Sequence, residues 1–166
     1  MRPTSASRPS QRDFSFAANH LAAQVVVALT LGCEIDEIQI GRPPDVLTWN
    51  LSQTNMGDAE AICAAGYARE VEMGRREDKA WELAHNDRSL LAFLHAERTG
   101  MQLEAEAVGE RFRAGAANCV PILSHPTARV AIEDLAAAIG DRYEEGAERM
   151  SAAAIQEAVQ GKIWSS

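Results

Sequence analysis

Residues 15–32 read SFAANHLAAQVVVALTLG, and the fold turns on where that stretch is placed. It is apolar on almost every side, with Asn19, His20 and Gln24 as its chief polar interruptions, and it meets a glycine at Gly32. A helix with so little polar surface has to be covered by neighbours, which puts it at the centre of a domain. It is too short and too interrupted to serve as a membrane span.

Downstream, EIDEIQIGRPPDVLTWNLS partly alternates through Ile35, Ile38 and Ile40, breaks at Gly41 and Pro43-Pro44, and resumes at Val46, Leu47, Trp49 and Leu51. This reads as two short strands joined by a turn, a small sheet beside the central helix. Helical spacing returns over Asp58–Met73, where Ala61, Ile62, Ala65 and Ala68 form a small-residue stripe and Gly74 is the stop. A further helix is expected over Lys79–Glu97 on Trp81, Leu83, Leu90, Leu91 and Leu94, and another over Glu104–Gly115. Ser124 and Pro126 announce a helix whose buried side is Val130, Ile132, Leu135 and Ile139. Ser151 caps a last helix, Ala152–Val159, which ends at Gly161.

No linker divides these elements. The expected class is α+β and predominantly α-helical, with a Pro/Ser/Arg-rich lead-in over residues 1–12 expected to be disordered and one domain over 13–162. The chain has 166 residues, 46% of them apolar and 24% charged, enough for one hydrophobic core. Its net charge of −8 argues against nucleic acid or an anionic membrane as partner. Cys33, Cys63 and Cys119 form no CxxC pair and read as small packing residues, and with no basic-then-apolar leader at the start a cytoplasmic location is expected.

The segment from His20 to Gly32, HLAAQVVVALTLG, followed by a short strand at CEIDEIQI, resembles the opening helix and strand of the M41-type (FtsH-like) zinc metallopeptidases and their small stand-alone relatives, in which that helix carries HEAGHAVV. The run CAAGYAREVEMG over residues 63–74 is similar to that family's small-residue helix, AGxAAExxxxG, and MSAAAI over 150–155 is similar to its LSGxEI segment. In order and spacing the three segments span about Phe14 to Gly161, and no GxxxxGK[ST] phosphate loop accompanies them. The resemblance implies a peptidase-like domain with its sheet beside a central buried helix.

In HExxH, two histidines four apart on one helical face hold a zinc, and the glutamate takes a proton from the zinc-bound water. This chain reads HLAAQ: His20 keeps the first ligand position, Leu21 replaces the base and Gln24 replaces the second ligand. The family's third ligand, an aspartate on a later helix, corresponds to Asp87 in the Asn86-Asp87 pair, with Asp78 as the competing register. Losing the base alone removes about 10²–10⁴-fold in rate. Zinc peptidase activity and a zinc cofactor are therefore not expected, and no catalytic residue is assigned. The metal alternative is a weak site on His20 and Asp87, with His85 as an added donor.

Two functional readings follow. One is a catalytically inactive, metallopeptidase-like protein that binds a protein partner or self-associates. The other is an enzyme with altered, non-proteolytic chemistry in the former zinc pocket. His95 and His125 read as structural, and Trp49, Trp81 and Trp164 as packing residues, since a single-strand nucleic-acid site would want aromatics on a basic groove.

Overall fold

A computed structural model describes residues 10–40, 46–49 and 54–163. Among them the chain forms α1 (Gln11–Thr30), β1 (Ile35–Gln39), β2 (Val46–Trp49), α2 (Met56–Glu72), α3 (Glu77–Leu83), α4 (His85–Thr99), α5 (Ala105–Leu123), α6 (Pro126–Glu144), β3 (Arg149–Ser151) and α7 (Ala152–Val159). The mainly helical α+β expectation agrees with this order. The described helices include none long and apolar enough to cross a membrane.

Helix α1 starts earlier than its apolar pattern. The Ser10 hydroxyl accepts the Asp13 N–H and caps the first turn, so Gln11 and Arg12 belong to α1 rather than to a disordered lead-in. Residues 1–9 lie outside the described residues. The interior of α1 is covered throughout: Leu21 through Ala23 and Val25 through Ala28 are buried. They pack in one core with Ile38, Cys119, Leu123, Ile132, Leu135, Ile139, Met150 and Ile155.

Helix α2 separates this core from a second one. Ala61, Ile62 and Ala65 face the first. Ala59, Cys63, Ala64 and Tyr67 face the second, with Ala80, Ala84, Leu91, Leu94 and Phe112. Small residues on both sides let neighbouring helices come close. At Gly115 of α5, an added Cβ would stand 2.2 Å from the Glu60 carbonyl oxygen. The glycine expected to end α5 is therefore its contact point with α2, and the helix runs on to Leu123. Pro121 is accommodated on its exposed side.

Among the described residues the sheet has three strands in the order β2-β1-β3, all antiparallel. The first two were legible in the sequence; Gly41, Pro43 and Pro44 between them, and Leu51, lie outside the described residues. The third was not legible, because a three-residue strand carries no pattern of its own. Ser151 closes β3 opposite Glu37, and its hydroxyl accepts the Ala154 N–H to cap α7.

Three further expectations need correction. The single helix expected over Lys79–Glu97 is two, broken at Ala84 (φ −82°, ψ 16°), where the Arg88 guanidinium donates to the Trp81 carbonyl. Leu83, at 47% exposed, faces solvent as a result. Helix α6 is capped by His125, whose ring accepts the Thr127 N–H, while Ser124 closes α5. Val130, placed on the buried side of α6, is exposed; Ala128, Ala131, Ile132, Leu135 and Ile139 supply that side.

Gly115→Ala should lower the urea midpoint by the equivalent of about 1–3 kcal/mol, the usual cost of forcing atoms into a closed contact. An unchanged midpoint would show that α5 moves off α2 freely.

Candidate functional site

The polar residues of α1 meet α2 and α4 at one seam. The His20 ring lies against Gly66, where a Cβ would stand 2.2 Å from its Cδ2 atom, so only glycine leaves room for the imidazole there. From that position Nδ1 is 2.8 Å from Glu70 Oε1, and Nε2 is 2.9 Å from Asp87 Oδ2. Gln24, one turn along α1, donates its amide to Asp87 Oδ1 at 3.0 Å and to the Cys63 carbonyl at 3.4 Å. Asp87 sits in the first turn of α4.

Local chain geometry brings in one more charge. Gly74 (φ +93°) ends α2 with the Gly74 N–H on the Val71 carbonyl and the Arg75 N–H on the Glu70 carbonyl. This is the paired termination that a left-handed residue permits. It folds Arg75 back over the end of α2, where its guanidinium donates to Glu70 Oε2 at 2.9 Å and stacks on the Phe16 ring at 4.1 Å. Beside this, Arg69 donates twice to Asn19 Oδ1, which satisfies the other buried amide of α1.

Both ring nitrogens of His20 thus face carboxylates. Burial opposes the charged ring, but the Asp87 charge and the hydrogen bonds to Asp87 and Glu70 outweigh it and raise the pKa from 6.5 to about 10. At neutral pH His20 is an imidazolium that donates from both nitrogens. His20 and Arg75 face the two carboxylates Glu70 and Asp87, and Arg75 also lies 3.6 Å from the exposed carboxylate of Asp13. Burial, helped by the Asp87 and Glu60 carboxylates, pushes the Cys63 thiol pKa far up; the sulfur is an inert packing group.

The residues singled out in the sequence are divided by the structure. His20, Gln24 and Asp87 come together. Asp78 does not join them; it is exposed and paired with Arg76. Leu21 is buried in the core beside α1, so it contributes no polar group. His85 is exposed at the start of α4, and the His20 ring is bonded to Glu70 and Asp87 instead. In the sequence Glu70 belongs only to the small-residue helix motif over residues 63–74. Its signal was a carboxylate one turn after Gly66 on a helix of small residues, where α1 has to pass.

A four-coordinate zinc does not fit this donor set. Nε2 would have to give up its hydrogen bond to Asp87, and Gln24 offers only a neutral amide oxygen, a poor zinc ligand beside an imidazole. Glu70 sits on the opposite ring nitrogen. Among the described residues, no group of three or more His, Cys, Asp or Glu side chains is arranged to hold a metal ion.

Comparison of the chain with protein-family models, with curated proteins and with solved structures gave no match. The likeness to the zinc peptidases therefore stands on the motif residues alone.

The raised pKa makes stability pH-dependent in one direction. The folded chain holds the His20 proton more tightly than the unfolded chain does, so this contribution is complete below about pH 6.5 and is lost as pH rises through about 10. The melting temperature should fall across that alkaline window, and the His20 ring signals in NMR should stay those of an imidazolium at pH 8. A ring that titrates near 6.5 would show that the carboxylates do not hold its charge.

Proposed function

We propose that this chain is a non-catalytic, metallopeptidase-like protein whose role is to bind another protein or to self-associate. One observation carries the reading: every group at the zinc-peptidase positions is engaged by a neighbour in the same chain. His20 is held as a cation between Glu70 and Asp87, Gln24 donates to Asp87, and Leu21 lies in the core. A hydrolytic zinc site needs strong ligands free to coordinate, an open coordination position and a base; here His20 and Asp87 are hydrogen-bonded to each other, Gln24 is a neutral amide, and Leu21 has no atom that accepts a proton. A tie of α1 to α2 and α4 is what the same groups do supply.

Leu83, Phe93, Met101, Val120 and Val130 are the large apolar side chains that the described surface leaves exposed, and these are the groups that a partner would cover. The altered-chemistry alternative needs a polar group with free capacity at His20. The hydrogen bonding described above leaves that ring with both nitrogens occupied.

Metal content tests the proposal directly. Protein purified without chelator and then dialysed against zinc should carry well under one equivalent; near-stoichiometric, tightly held zinc would sink the inactive reading. The peptidase-like ancestry has its own test. Gln24→His returns an imidazole four residues after His20 and should retain zinc measurably better than the parent chain. If that variant binds no more zinc, the positions were never a metal site and the likeness loses its support.

A further inference from the structure

The junction of α3, α4 and α5 carries a second group of polar and aromatic residues. Trp81 is edge-on to Tyr67, with ring centroids 5.8 Å apart, and to Phe112 at 5.6 Å. Its indole also carries two guanidinium groups, Arg88 and Arg113, each 4.2 Å from the ring centroid. Trp81 is half-buried and Arg113 is exposed.

Neither guanidinium of the pair is in an ion pair, a condition shared with Arg12 and Arg142, but here two such groups sit on one ring, with Asp87 acting on Arg88 and Glu77 bonded to the neighbouring Tyr67 hydroxyl. Arg69, Arg75, Arg76, Arg111, Arg129 and Arg149 each have a carboxylate within ion-pair distance. Among the described residues, Arg88 and Arg113 have none, in a chain with 24 acidic and 16 basic residues. They also feel each other. Burial first, and then the Arg113 charge acting against the pull of Asp87, holds Arg88 below the ordinary guanidinium range. Two like charges on one indole repel, and a carboxylate placed against them relieves that repulsion.

We propose that Trp81, Arg88 and Arg113 form a docking point for a carboxylate-bearing peptide segment of a partner protein. The proposal rests on the protein-binding reading above and names the chemistry of the partner. Stacking on the indole holds both guanidinium groups before the ligand arrives, and Arg88 is further fixed by its bond to the Trp81 carbonyl. A pre-positioned planar fork loses little freedom when it receives a carboxylate. Tryptophan and arginine are also the side chains that most often dominate binding at protein interfaces. A polyanion such as RNA would bring many charges toward a surface of net charge −8, whereas one acidic side chain on a peptide brings a single charge.

The test uses the full chain and an end-capped pentapeptide with one central glutamate flanked by alanine and leucine. The matched glutamine peptide and inorganic phosphate serve as comparisons, and the readout is the NMR signals of the Trp81 indole N–H and the two arginine Nε–H groups. The glutamate peptide should shift these signals saturably, and added salt should weaken the binding. Arg113→Gln should weaken it about tenfold while leaving the melting temperature unchanged, and Arg113→Lys, which keeps the charge but not the fork, should recover only part. No saturable shift, an equal response to the glutamine peptide, or full binding by Arg113→Gln would overturn the docking point. Preference for phosphate would also overturn it, in favour of a phosphate ligand. A chain that excludes zinc yet ignores the peptide loses only the docking point, whereas one that loads zinc stoichiometrically loses the functional reading whatever the peptide does.

Discussion

The contact between the His20 ring and the bare backbone of Gly66 is the constraint on which the rest of the arrangement depends. It lets α1 approach α2 closely enough for one imidazole to lie across the face of α2, and from there to reach Glu70 on one side and Asp87 on the other. Helix α2 repeats the device on another face, where Gly115 of α5 lies against the Glu60 carbonyl. The helix is in effect a thin plate of alanine, glycine and cysteine between two cores, and its few large polar side chains bind its neighbours. Glu60 takes Arg111 from α5, Glu72 takes Arg129 from α6, and Glu70 takes His20 from α1.

Charge inside such a plate adds little net stability. Desolvating ions costs several kcal/mol each, and replacing a complete buried ionic cluster with well-packed apolar groups is often neutral, whereas deleting one member costs about 3–5 kcal/mol. The cluster around His20 therefore acts chiefly against misalignment. A slip of α1 that brought Leu21 to the place of His20 would leave two carboxylates facing an apolar side chain, and α4 would lose its attachment through Asp87. The pairing of Glu70 with both His20 and Arg75, and of Asp87 with His20, explains how the seam tolerates ions while remaining mostly closed to solvent.

Much of this was legible in the sequence, for identifiable reasons. The continuous apolar run of α1 announced a central helix, the alanines around Gly66 a close-packed one, and Asn86-Asp87 the aspartate that meets His20. Signals failed where a residue had two meanings. Gly115 stood at the expected end of its helix, where the polar content rises, but it marks a contact made in space. The break at Ala84 had no glycine or proline to signal it; it is accommodated by the long side chain of Arg88, which reaches back to the Trp81 carbonyl. Glu70 could be read only as one carboxylate among 24 acidic residues until the passage of α1 beside it was known. The ties from α2 to other helices were out of reach for the same reason, since His20–Glu70 and Glu60–Arg111 join residues about fifty positions apart.

Ser151 ends β3 and caps α7 with no residue between the two tasks. The chain thus passes from sheet to helix without slack. Its backbone is committed to the pairing with Glu37 and its side chain to the first turn that follows. An insertion of even one residue here would force the serine to give up one of these roles, so related chains should vary in length around the turns before and after this junction and hold it constant within. The same economy means that the last helix and the small sheet open together: loosening either end of Ser151 releases the other, and the C-terminal portion of the domain behaves as one unit in local unfolding.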